Sequence, residues 1–196
     1  MLSFVAAVLL LLSTPGPGVL STAGVGAAFG YRSGLRYVTG LGLGSNITML
    51  AVVTGLAALV LANPVIRVVL LAASTLYLLY LAAKIALAGS KVAFIHAEKK
   101  PGILSGLMLQ LINPKAYVVA TTLFSGFPIF PESFWLEIIV KFLILNAIWI
   151  PIHLIWLYAG ASLERLNLPQ KTQRGINIIM ACAMIGVVLL AALSAR

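Results

Sequence analysis

Leu11-Leu12-Ser13-Thr14-Pro15-Gly16-Pro17-Gly18-Val19-Leu20 sets two prolines and two glycines at the middle of an apolar stretch covering residues 2–29. A helix that crosses a hydrocarbon layer takes about 20 apolar residues, so this stretch is long enough to span one. Proline removes a backbone donor and crowds the carbonyl one turn earlier. In lipid, the backbone groups freed in this way persist only where protein buries them or where they line a polar cavity. The segment therefore predicts a membrane span split into two half-helices. The second half opens at Gly16-Pro17-Gly18 with unpaired N–H groups and a partial positive charge.

The rest of the chain agrees with a membrane setting. Of 196 residues, 62% are hydrophobic and 9% charged, against about 45–50% and about 25% in soluble domains. So few charges cannot cover a water-soluble fold of this size. The pattern predicts an all-α integral membrane protein, one transporter domain over residues 1–196 with halves at about 1–90 and 103–196. Six spans read at residues 2–29, 37–62, 65–88, 103–127, 134–160 and 173–193. Gly30-Tyr31-Arg32-Ser33-Gly34 is a polar turn, and Asn63-Pro64 is a helix boundary with proline at the first helical position. The first span has no Lys or Arg ahead of it, unlike a cleaved signal peptide, and reads as a retained helix.

The formal net charge of +9 does not point to nucleic acid, because the basic residues lie between the apolar runs, as in cytoplasmic loops beside anionic lipid. Alternate loops hold Arg32, Arg36, Lys84, Lys91, Lys99, Lys100, Arg165, Lys171 and Arg174; the other side holds Arg67, Lys141 and Arg196. With Lys115 set aside as intramembrane, nine against three places the first group in the cytoplasm of a bacterial-type inner membrane, with both termini outside. The single cysteine, Cys182, lies in an apolar run and reads as a packing residue.

The two halves share a pattern. Asn113-Pro114-Lys115 interrupts the fourth span much as Pro15-Gly16-Pro17-Gly18 interrupts the first, and Asn46 and Asn146 stand at nearly the same offset in the second and fifth. Three spans per half reverse the direction of the second half, which is the signature of a 3+3 inverted repeat with broken helices one and four. Two half-helix N-termini facing one another suit a carboxylate, although two packing kinks would give the same sequence.

Lys115 falls near the centre of its span, where an isolated lysine costs about 2.5–3.5 kcal/mol. Such residues are functional by default. It either meets a substrate carboxylate or clamps carbonyls freed at the break. In the fifth span Asn146, Trp149, His153 and Trp156 share one helix face, with Pro151 among them. His153 is the candidate to carry a coupling proton. Trp149 is a candidate contact for an ammonium group or an apolar side chain. A hydrogen-bonded packing stripe is the alternative. The candidate substrate-binding set is Pro15, Gly16, Pro17, Gly18, Asn46, Asn113, Pro114, Lys115, Asn146 and Trp149. Glycine pairs Gly26/Gly30, Gly40/Gly44 and Gly102/Gly106 allow close helix crossings and leave a homo-oligomer open.

No enzyme constellation is present. The acids Glu98, Glu132, Glu137 and Glu164 fall in loops or near helix ends, and no phosphate-binding glycine loop occurs. No cofactor is expected. A metal-ion exporter would keep Asp, Glu or Cys ligands at mid-membrane.

At these motifs the chain resembles the LysE/RhtB family of amino-acid exporters. The resemblance is carried by 13–18, by Phe29-Gly30-Tyr31-Arg32-Ser33-Gly34, by Gly40-Leu41-Gly42-Leu43-Gly44, by Leu76-Tyr77-Leu78-Leu79-Tyr80 and by Leu111-Ile112-Asn113-Pro114-Lys115-Ala116. They stand in family order and cover essentially the whole chain. The resemblance implies six helices and export of an amino acid or related metabolite, driven by the proton gradient. One departure matters. The family pattern places an acid two turns before a Tyr-Ala pair in the fifth span; Tyr158-Ala159 is present, but Pro151 occupies that slot. Rival readings are a non-transporting sensor or assembly component and a metal-ion exporter.

Overall fold

The structure, a computed structural model, describes residues 1–13, 16–55, 63–86 and 100–165, with scattered residues between 169 and 185. Among the described residues it is all-helical: α1 (Leu2–Ser13), α2 (Pro17–Val53), α3 (Pro64–Ala86), α4 (Ile103–Ile112), α5 (Pro114–Gly126) and α6 (Phe134–Arg165). Most of the expected sixth span, 173–193, lies outside the described residues, as do Thr14 and Pro15.

The interruptions fall where proline chemistry places them. Asn113 is extended (φ −79°, ψ 108°) between α4 and α5, whose axes differ in direction by 66°. Pro17 opens α2 behind an extended Gly16, and Asn63 caps α3 by accepting from the Val65 and Ile66 N–H groups at 2.9 and 3.3 Å.

The expected five-residue turn at 30–34 is a single residue. Gly30 is the non-helical position inside α2 (φ 78°, ψ 171°) and the helix resumes at Tyr31. That φ lies in the left-handed region, which glycine enters without a Cβ clash. The Tyr37 hydroxyl donates to Ser21 Oγ at 2.9 Å, 16 positions away. A straight helix would hold them about 24 Å apart. α2 is therefore a hairpin with arms at 17–29 and 31–53. Its second arm also ends earlier than expected: Thr54 caps it and Gly55 follows at φ 75°, the usual glycine C-terminal signal.

This hairpin is the hub, packing chiefly on α6 and α4. The seams are backbone against backbone. A Cβ on Gly160 would run into the Ala23 backbone, and one on Gly26 would stand 2.7 Å from the Leu157 carbonyl oxygen. In the other arm, a Cβ on Gly40 would strike the Ile103 backbone, and one on Gly106 the Tyr37 backbone. Thus Gly26, Gly40, Gly44 and Gly106 make the close crossings expected of them, Gly30 makes the turn, and a methyl added at Gly102 would meet nothing within 4 Å.

Phe134–Ser162 is long and apolar enough to cross a membrane alone, with a mean hydropathy of 2.1, and it runs on through Pro151. α4 with α5, and α1 with α2, meet the same test as bent pairs. Leu10, Val65, Leu76, Leu104, Trp135, Leu143 and Ile155 are exposed around the outside. Apolar surface on this scale marks contact with something other than water.

One residue was expected in the wrong surroundings. Lys141, counted above with the loop charges, is 1% exposed inside α6. It pairs with Glu137 at 2.6 Å and donates to the Phe124 carbonyl at 2.8 Å. Its Nζ also lies 5.7 and 5.8 Å from the ring centres of Phe4 and Phe124. Lysine has three donors and a long apolar stem, so one neutralised cation can be buried here. The charge asymmetry then rests on Arg67 and Arg196 alone for the opposite side.

Candidate functional site

The site grows from the two interruptions. At the second, Asn113 Oδ1 accepts from the Lys115 N–H at 3.1 Å, capping α5 behind Pro114. The carbonyls that Pro114 strands at the end of α4 find other donors: Asn113 N–H reaches Gln110 O at 3.2 Å, and the Tyr117 hydroxyl reaches Leu111 O at 2.7 Å. At the first interruption Gly16 caps α2 with no side-chain hydrogen bond. Pro17 has no N–H to offer, which leaves those of Gly18 and Val19 at the helix end, while Leu20 N–H closes on Gly16 O at 3.0 Å.

Lys115 joins the two. Its Cδ and Nζ would each lie 2.9 Å from a Cβ at Gly16, so the lysine stem lies across the glycine. Any larger residue at 16 would displace it. Two positions on, the Cβ position of Gly18 faces His153 Nε2 at 3.5 Å and Gln110 Oε1 at 3.7 Å.

His153 is 4% exposed. Its Nδ1 is 2.9 Å from the Trp149 carbonyl oxygen. A carbonyl only accepts, so Nδ1 carries the hydrogen, and Nε2 of the neutral ring is left as an acceptor. The ring stacks on Trp149 with centroids 3.7 Å apart and planes 17° apart, which fixes its orientation.

Asn46 and Asn146 hold each other. Each side-chain amide donates to the other's Oδ1 at 3.0 Å, and each also donates to its own i−4 carbonyl, Gly42 or Phe142, at 2.9 Å. All four amide hydrogens are used; each Oδ1 retains an acceptor site.

These groups line a cavity of about 80 Å³. Of the residues proposed from sequence, Gly16, Pro17, Gly18, Asn113, Lys115, Asn146, Trp149 and His153 line it. Pro114 and Asn46 stand behind it, the first setting the break and the second holding Asn146. Pro15 lies outside the described residues. Three polar lining residues were not foreseen: Ser45, Thr48 and Gln110. Gln110 donates to Ser45 Oγ at 2.8 Å and accepts from Asn113 Nδ2 at 3.4 Å, linking α2 to the break. Its place one turn before Asn113 was a signal available in the sequence. Ser45 and Thr48 had none beyond neighbouring Asn46. The remaining wall is apolar, formed by residues such as Leu12, Met49, Leu123 and Leu145.

Compared with known proteins, residues 9–195 match the profile of the family described as LysE type translocator. The chain is 31% identical over 186 residues to the cysteine/O-acetylserine efflux protein of Klebsiella pneumoniae subsp. pneumoniae, covering 93% of this chain and 92% of that one. It is 29% identical over 174 residues to the protein of the same name in Salmonella typhimurium (88% and 87% covered). With that of Escherichia coli K12 it shares 27% over 178 residues (90% and 89%). No solved structure matches the chain.

Proposed function

We propose, from the premise that this chain belongs to the LysE type translocator family, that it is a secondary transporter exporting a small α-amino acid or close derivative from the bacterial cytoplasm. The observation that carries this reading is the meeting of Gly16–Gly18, Asn113, Lys115 and His153 around one cavity. An α-amino acid needs a cationic or N–H-rich place for its carboxylate and an acceptor for its ammonium group. Lys115 Nζ with the N–H groups of Gly18 and Val19 serves the first; His153 Nε2 serves the second. The names of the similar efflux proteins make cysteine and O-acetylserine the first solutes to try, and a cavity of about 80 Å³ suits small solutes.

The same geometry supports a proton-coupling reading. The lone pair of His153 Nε2 holds either a proton or the ammonium group, never both. A proton arriving from outside displaces the solute, and loss of that proton inward readies the site again, which is antiport. In this reading His153 takes the part of the acid that the family resemblance places in the slot of Pro151.

The architecture proposed is six spans arranged as a 3+3 inverted repeat, with α1–α2 and α4–α5 as its broken elements. The mutual bonding of Asn46 and Asn146, each anchored to its own i−4 carbonyl, supports a two-fold relation between halves. Arginines 32 and 36, beside the Gly30 turn, support a cytoplasmic position for that turn, with both termini outside.

The test is export from proteoliposomes under an imposed pH difference. Wild type is expected to move cysteine or O-acetylserine uphill. Lys115→Met is expected to raise the half-saturating concentration at least tenfold. His153→Gln should still bind solute but lose the response to the pH gradient. Failure of the wild type to move any amino acid would favour the sensor or assembly reading; uphill transport by His153→Gln would remove the proton from that residue.

A further inference from the structure

Threonines inside a helix usually satisfy their hydroxyl on the carbonyl one turn back. Thr22, Thr39 and Thr54 do so, donating to Gly18, Leu35 and Leu50 at 2.8, 2.9 and 2.9 Å. Thr48 does not. Its side chain is 1% exposed, it lines the cavity, and its Oγ1 has no hydrogen-bond partner among the described residues. The hydroxyl of Tyr117 lies beside it, outside hydrogen-bonding geometry, and sends its own proton to Leu111 O at 2.7 Å. Thr48 therefore keeps both a donor and acceptor sites unspent, next to Met49 in a lining that also includes the apolar Leu123 and Leu145.

A buried hydroxyl without a partner is unfavourable when the site is empty, and the penalty is relieved by whatever bonds to it. The charged ends of an amino acid are accounted for by Lys115, the helix N-terminus and His153. What remains to meet Thr48 is the side chain. We infer that Thr48 is the specificity-determining residue of this site. It selects solutes whose side chain carries an oxygen or sulfur close to Cβ, as hydroxyl, thiol or ester, over alkyl side chains of the same size. A site built to bond a polar substituent rejects the analogue lacking it far more strongly than an apolar pocket separates two isosteres. This inference rests on the amino-acid exporter reading.

The experiment uses the purified full chain and two pairs of probes, L-serine with L-2-aminobutyrate and L-threonine with L-valine, each pair differing by a hydroxyl in place of a methyl. Wild type is expected to bind the hydroxyl member of a pair about tenfold more tightly. Thr48→Val, which keeps the shape, abolishes that preference by weakening the hydroxyl member alone, and Thr48→Ser retains it. Without solute, Thr48→Val unfolds at the same temperature as wild type or higher, since no bond within the fold is lost. A preference that survives Thr48→Val overturns the inference, as does equal weakening of both members. A lower unfolding temperature or an unfolded variant also overturns it, because Thr48 would then be bonded within the fold. Folded wild type that binds none of the four solutes fails differently, and counts against the exporter reading itself.

Discussion

Two regions of this molecule, about 20 residues and so about 30 Å apart along α6, close the bundle by opposite means. Around Gly26, Gly40, Gly106 and Gly160 the helices meet with side chains removed, and backbone touches backbone. Around Phe4, Phe124, Phe142 and Lys141 the space is filled with bulk. Edge-on aromatic pairs (Phe4 with Phe127 at 6.3 Å, Phe124 with Phe142 at 5.4 Å) stand around the buried Lys141 and its partner Glu137. The first kind of contact has no slack, because a carbonyl cannot rotate away from an added methyl. The second is made of rotatable side chains that can repack. The cavity lies between them, so the bundle is rigid on the side of the Gly30 turn and deformable on the other. A transporter that opens alternately on two sides needs such a difference somewhere.

The contrast can be broken most directly at the glycines. Gly40→Ala places a methyl against the Ile103 backbone and should cost about 3 kcal/mol, the upper part of the usual overpacking range. Gly102→Ala, with nothing within 4 Å, should cost about 1 kcal/mol or less, the loss of a glycine N-cap. Thermal unfolding in detergent measures both, and equal effects would dissolve the distinction between seam and surface.

Lys141→Met tests the deformable end. It leaves Glu137 and the Phe124 carbonyl without their cation, and should cost about 2 kcal/mol. That is less than for a fully enclosed pair, because the Glu137 side chain keeps 18% of its surface. Adding Glu137→Gln should recover part of the loss. A double variant that loses the full sum of its parts would mean that the two charges act separately.

The smallest effect is expected where the halves clasp. A double-mutant cycle of Asn46→Ala and Asn146→Ala should return a coupling of about 1 kcal/mol, within the range for polar contacts between membrane helices. No coupling would leave the reciprocal geometry without energetic content and weaken the two-fold reading.

Legibility in the sequence followed the range of the forces involved. The break at Asn113-Pro114 could be read directly, because proline and an Asn cap act within a few residues. Asn63-Pro64 was legible for the same reason. The Gly30 turn was located but read as too long. A polar composition from Tyr31 to Gly34 does not reveal that one left-handed glycine is enough when both arms are already packed. Lys141 was misplaced because a lone lysine in an apolar run looks the same whether it lies near a membrane surface or pairs with a carboxylate one turn back. Eight of the proposed site residues do line one cavity. They were recognisable as residues a bilayer would not tolerate without cause, and a shared destination is the economical cause. Gln110, Ser45 and Thr48 were passed over, since uncharged polar residues are common in membrane helices and none is costly enough alone to stand out.

The sequence by itself determined the helical class, the membrane setting and the helix boundary at Asn113-Pro114, because apolar run length and proline act locally and do not depend on partners. Only the tertiary structure decided which polar groups satisfy one another and which remain unspent. Asn46 and Asn146, a hundred positions apart, are spent on each other, whereas Thr48, two positions from Asn46, is not spent at all. That distinction depends on distances of a few tenths of an ångström between segments remote in the chain. Hydrogen bonds have that short reach, and no spacing along the sequence encodes it.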